Sequence, residues 1–174
     1  RATVYNQQGK FNEAILDCTK ALENRPRHAG TYDVRATAYF GKRDFDRAIA
    51  DFSEAIRLDP KRASAYAGRA LAYDYTKRLS EALVDSETAL RLAPGMVEGY
   101  YARGNTYRLM GKPEKAVEDF NEIIRRYPAC GQAYYARGLA YRRMGKTSEA
   151  QSDIARAREL GYSPQQRQPG HRPH

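Results

Sequence analysis

The sequence predicts an all-α solenoid of stacked helix–turn–helix units. Three observations carry this reading. The chain matches itself at an offset of 34 residues. Within each unit, small and aromatic residues fall three and four apart, the spacing of one helix face. A proline closes each unit, at Pro26, Pro60, Pro94 and Pro128. Proline ends a helix because it lacks an N–H and clashes with the preceding turn.

The elements follow in order when residue 29 is taken as position 1 of a unit. Tyr32, Tyr66, Tyr100 and Tyr134 share position 4, and Tyr5, Tyr39, Tyr73, Tyr107 and Tyr141 share position 11. Between them lie Ala36, Ala70, Gly104 and Gly138 at position 8. This is the buried stripe of a first helix. Ala14, Ala48, Ala82, Ala116 and Ala150 at position 20, with Ala21, Ala55, Ala89, Ile123 and Ala157 at position 27, mark a second helix. Small residues let the two backbones approach and the tyrosines fill the remaining space. Gly9, Gly111 and Gly145 at position 15 suit a left-handed helix cap. Arg43 and Lys77 hold that place in two units, so those turns are expected to be strained or rearranged. Asn12, Asp46, Ser80 and Ser148 at position 18 are expected to cap the second helix.

The pattern Y-x3-(A/G)-x2-Y, then A-x3-F-x2-A, then P is clearest over Tyr32–Pro60. It resembles the tetratricopeptide repeat (TPR). The resemblance extends to about residue 164 and implies a right-handed superhelix. Tyrosine stands where the family usually has tryptophan, and arginine where it has leucine at position 7. The units are a partial TPR at 1–28, full TPRs at 29–62, 63–96 and 97–130, a C-terminal TPR at 131–164, and a flexible tail at 165–174. Arg1 aligns with position 7, so upstream residues are expected. In the last unit, Gln151 and Arg158 replace the apolar residues of positions 21 and 28, giving a polar outer face where the array is expected to stop.

An arginine recurs at position 7 and an aspartate at position 23. In an antiparallel hairpin, residues at one level have position numbers with a constant sum. The apolar pairs sum to 31 and this pair to 30, so the two charges face each other. The expected structural ion pairs are Arg35–Asp51, Arg69–Asp85, Arg103–Asp119 and Arg137–Asp153. The alternative partner is the aspartate of the preceding unit, as in Asp17–Arg35. A buried arginine needs a carboxylate, so this reading outranks acidic-ligand binding by these arginines.

Of 174 residues, 41% are hydrophobic and 29% charged, the composition of a folded, soluble chain. No apolar run approaches the roughly 18 residues of a membrane helix. The compartment stays open: cytoplasmic, or periplasmic or secreted if a signal peptide preceded Arg1. Nothing assembles a catalytic or metal constellation. His28 lies at a unit junction, His171 and His174 in the tail, and Cys18 and Cys130 three units apart. The reading is a non-catalytic scaffold with no cofactor and no metal.

The resemblance implies a concave groove lined by positions 2, 5, 9, 12 and 13. Its C-terminal half offers Tyr101, Asn105, Arg108, Gln132, Tyr135, Arg142 and Arg143. Aromatics beside arginines suit a binding hot spot, here for a protein or peptide partner with an acidic segment. Asp33, Thr37, Phe40, Asp74 and Tyr75 make the N-terminal half mixed. TPRs that clamp chaperone carboxyl termini use lysine at positions 5 and 2 and arginine at 6. Position 5 is Asp33, Ala67, Tyr101 and Tyr135, position 2 is Gly30, Ser64, Glu98 and Gln132, and position 6 is Val34, Gly68, Ala102 and Ala136. Of the clamp residues only Asn105, at position 9, is present, so no such clamp is expected. Two alternatives remain: a non-catalytic domain of a larger enzyme or assembly, and nucleic-acid binding. The net charge of +9 raises the latter, but no base-stacking platform supports it.

Overall fold

A computed structural model describes residues 1–164. The expected flexible tail at 165–174 lies outside the described residues. Ten helices follow in order: α1 (Ala2–Gln7), α2 (Phe11–Asn24), α3 (Ala29–Gly41), α4 (Phe45–Leu58), α5 (Ala63–Tyr75), α6 (Leu79–Leu92), α7 (Val97–Leu109), α8 (Pro113–Arg126), α9 (Gly131–Arg143) and α10 (Thr147–Glu159). No strand occurs among the described residues.

Each odd-numbered helix pairs with the even one after it, packs on the even one before it, and touches the next odd one. The even helices have no close backbone approach to one another among the described residues. The odd helices therefore form an inner layer and the even ones an outer layer. Alanines explain the close fit. Ala36, Ala48, Ala55, Ala65 and Ala72 are fully buried around Phe52, with Tyr32 and Tyr39 packed against them. Ala116, Ala133 and Ala140 do the same around Phe120 and Ile123.

The five turns within hairpins are alike. Position 15 is left-handed at Gly9, Arg43, Lys77, Gly111 and Gly145 alike, with φ between 63° and 75°. The next N–H, from Lys10, Asp44, Arg78, Lys112 or Lys146, donates to the carbonyl of the position-11 tyrosine at 2.8–3.0 Å. This is the Schellman closure. Arg43 and Lys77 thus keep the geometry, and the expected rearrangement does not occur.

The closure also moves the caps. It leads straight into the second helix, so the N-cap falls at position 16 rather than 18. Only Asp44 caps with its side chain there, accepting from the Arg47 N–H at 3.3 Å. Asn12, Asp46, Ser80 and Ser148 sit inside the first turn instead.

Candidate functional site

The repeated arginine is held in place. Arg35 Nε and Nη2 donate to Asp51 at 2.7 and 2.9 Å. Arg69 grips Asp85 at 2.7 and 3.0 Å, Arg103 grips Asp119 at 3.0 and 2.6 Å, and Arg137 grips Asp153 at 2.7 and 2.7 Å. The aspartate is always the unit's own; Asp17 pairs with Arg1. The preceding unit supplies a polar side chain instead. Arg35 Nη1 donates to Thr19, Arg69 Nη1 to Ser53 and Arg137 Nη1 to Asn121, at 3.2, 2.9 and 2.6 Å. The tyrosines at positions 4 and 11 flank the guanidinium of Arg69, Arg103 and Arg137, as Tyr66 and Tyr73 flank Arg69 at 5.7 Å, and among the described residues Tyr32 alone lies over Arg35. Each of these arginines therefore ties its own hairpin together, and Arg35, Arg69 and Arg137 also tie it to the preceding unit, which commits most of their donors away from a ligand.

The inner layer encloses a cavity of about 550 Å³. Tyr101, Asn105, Arg108, Gln132 and Tyr135 line it, with Leu71, Asp74, Tyr75, Lys77, Glu98, Leu109, Cys130 and Leu139. Arg142 and Arg143 lie outside its lining, exposed in the last turn of α9, and make no ion pair among the described residues. Tyr101 is half-buried, its ring 6.0 Å from Phe120. Ala102, next to Tyr101, is fully buried between α7 and the preceding hairpin. On that side of α7 the small side chain faces Ala70 and Tyr73.

Two features escaped the sequence reading. After α10, Gly161 is left-handed at φ +76° and the Tyr162 N–H donates to Ala157 O at 2.9 Å. This closure brings the Tyr162 ring to 5.4 Å from Tyr135, closing one end of the cavity. The glycine directly after a helical run was the available signal.

The other is a polar network at the cavity floor. Asp74 on α5 is 2% exposed. Its Oδ2 accepts from Asn105 Nδ2 at 2.9 Å, and its Oδ1 from Thr106 Oγ1 at 3.0 Å. Asn105 Oδ1 accepts from Arg108 Nη2 at 2.6 Å. Arg108 Nε is buried with no acceptor among the described residues. Burial pushes the Asp74 carboxyl up to about 6, against the opposing pull of Asn105, Thr106 and Arg108. The other buried aspartates, Asp51, Asp85, Asp119 and Asp153, each face a guanidinium directly. Asp74 has no ion pair within 4 Å among the described residues. A signal existed: position 10 is Ala38, Ala72 and Ala140 in the other full units but Thr106 here.

This arrangement defines a class. Sequence profiles of the tetratricopeptide repeat match residues 34–97, 97–130, and 1–28 with 131–160. The chain belongs to the tetratricopeptide repeat family, whose repeats build protein-interaction scaffolds. Among solved structures it is similar to MamA, at 27% identity and a TM-score of 0.70, covering 90% of this chain and 92% of that one. A thermophilic TPR protein of Thermus thermophilus superposes at TM-score 0.85 with 19% identity, covering 95% and 91%. A TPR protein from Parabacteroides merdae gives 0.77 at 23% identity, covering 93% of this chain and 63% of that one; these two likenesses concern the fold. No curated protein matches by sequence. No helix among the described residues is long and apolar enough to cross a membrane.

Proposed function

We propose that the chain is a scaffold whose concave cavity receives a segment of a protein partner. The observation that carries the reading is the cavity itself. Apolar walls from Leu71, Leu109 and Leu139 meet two half-buried tyrosines, Tyr101 and Tyr135, around a few polar groups. That is the composition of a preformed binding site. Rigid aromatic walls bind at small entropic cost, and such residues dominate binding energy. Arg142 and Arg143, exposed beside the cavity, favour an acidic flank on the segment. The chaperone clamp is not proposed, since its lysine positions hold Tyr101, Tyr135, Glu98 and Gln132.

The test uses a random peptide library displayed on phage and panned against the protein. Enriched peptides should carry acidic residues beside an apolar anchor. Their affinity should fall at least about ten-fold in a Tyr101→Ala/Tyr135→Ala variant, and by less in an Arg142→Ala/Arg143→Ala variant. Peptides that bind all three proteins equally would place recognition elsewhere and refute the reading.

A further inference from the structure

The Asp74 network is an unusual floor for a binding cavity. Asp74 carries a buried carboxylate where the other buried aspartates carry ion-paired ones. Its surroundings contain a hydroxyl with two competing acceptors. Thr106 Oγ1 lies 3.0 Å from Asp74 Oδ1 and 2.9 Å from the Ala102 carbonyl. A hydroxyl has one hydrogen, so with Asp74 ionised only one of these contacts is a hydrogen bond. If Asp74 is protonated on Oδ1, its O–H donates to Thr106 Oγ1 and the threonine hydrogen goes to Ala102 O. Both contacts are then satisfied, and Oδ2 still accepts from Asn105. The same heavy-atom positions therefore accommodate both charge states, the neutral one with more hydrogen bonds.

The charge state matters to whatever enters the cavity. Its charged lining is Asp74, Lys77, Glu98 and Arg108, with none from α3, α4 or α6. The groups acting on Asp74 are Arg108 of α7 and Lys77 of the turn after α5. Ionised, Asp74 offsets these two cations and repels an incoming carboxylate. Neutral, it leaves their field to the ligand, with Arg108 Nε lacking an acceptor.

We infer that Asp74 is a protonation-controlled gate, so that the cavity accepts acidic segments in mildly acidic conditions and disfavours them when Asp74 is ionised. This inference rests on the groove reading above and adds its regulation. Burial of the carboxyl places the change near pH 6, whereas ligand carboxylates titrating near 4 remain charged.

The experiment takes acidic peptides enriched from the displayed library at about pH 5 and measures binding at about pH 5 and about pH 8, with affinity expected to drop on the order of ten-fold at the higher pH. Asp74→Asn can keep the network: its Oδ1 accepts from Asn105 and its amide donates to Thr106 Oγ1. It should bind the same peptides at both pH values as tightly as wild type does in acid. In parallel, carbon-13 NMR follows the Asp74 carboxyl, which should titrate well above the ordinary aspartate range. Peptides that need Tyr101 and Tyr135 yet bind independently of pH would overturn the gate and leave the groove reading standing. A normal aspartate titration would overturn the gate without reference to any peptide. Peptides that need Tyr101 and Tyr135 but are never acidic overturn the gate alone, and a cavity that takes no displayed peptide at either pH overturns both.

Discussion

Breaking the Arg103–Asp119 pair from either side should give two different penalties, and removing both partners a small one. The side chain of Asp119 is 4% exposed and that of Arg103 28% exposed. Arg103→Met strands a buried carboxylate. Burial already pushes the Asp119 carboxyl up, against the pull of Arg103, so the stranded group escapes by taking a proton. At pH 7, protonating a group with an ordinary value of 3.8 costs about 4 kcal/mol, which caps the charge penalty. Asp119→Leu strands a guanidinium that can swing toward water, so its cost should fall near about 3 kcal/mol, the low end for broken buried pairs. The double variant Arg103→Met/Asp119→Leu leaves an apolar contact and should lie within about 1 kcal/mol of wild type, or above it. Urea unfolding at about pH 7 and about pH 4, with m-values compared to confirm one cooperative transition, reads all four corners. The Arg103→Met penalty should shrink at the lower pH, where protonation is cheap, and the Asp119→Leu penalty should not. Coupling below about 0.5 kcal/mol, or a double variant as unstable as the two singles summed, would refute the claim that the pair matters through the cost of stranding a charge.

Two further outcomes follow from the same energetics. The Asp74 carboxyl is raised from 3.8 to about 6 in the folded chain, so the fold keeps that proton longer than the unfolded chain does. Its stability contribution is therefore highest below about pH 4, falls between about 4 and 6, and stays low above; the loss is about 3 kcal/mol. Asp74→Asn should stabilise at about pH 8 by up to that amount and be neutral near pH 3.5; destabilisation at pH 8 in a urea series would contradict this. Lys77→Gly relieves a left-handed residue at φ 64° and should raise stability by about 0.5–1 kcal/mol, strain relief of about 1–2 exceeding the added unfolded-state entropy. Arg43→Gly should gain less or nothing, because Arg43 also lies 5.7 and 5.6 Å over Phe45 and Tyr75; thermal melts of the two variants in the reverse order would be the contrary result.

The fold was legible because each constraint is written four or five times. A single tyrosine at helical spacing says little, but five at position 11 and five alanines at position 20 define both helices and their facing stripes. The Arg–Asp register was legible for the same reason, since hairpin geometry converts position numbers into heights. The caps were not. Ser, Asn and Asp at position 18 look like caps by preference, yet the Schellman closure leaves no loop and fixes the N-cap two residues earlier. Backbone geometry there outranks side-chain propensity. Arg43 and Lys77 show the same ordering: the turn keeps its left-handed residue whatever side chain it carries.

The cavity floor was hard to read for the opposite reason. Thr106 departs once from a position that is otherwise alanine in the full units, whereas Asp74, Asn105 and Arg108 stand at positions that vary from unit to unit, and such variation on a solvated face is ordinary. Their meaning comes from coincidence in space, because residues about 31 apart in sequence meet across the α5–α7 interface. Repetition in this chain reports scaffold. The position-7 arginines are uniform because every hairpin needs the same stitch. A site has to differ from its neighbours, since a solenoid with identical units offers identical surfaces. The place to look is where several departures answer one another: a hydroxyl replacing an alanine opposite a carboxylate that lacks its guanidinium. A polar residue inserted into such a buried interface costs stability unless partnered. Ala38, Ala72 and Ala140 are fully buried at the same position without a hydroxyl. The Thr106 hydroxyl acts on Asp74, and through Asp74 on the charge of the cavity.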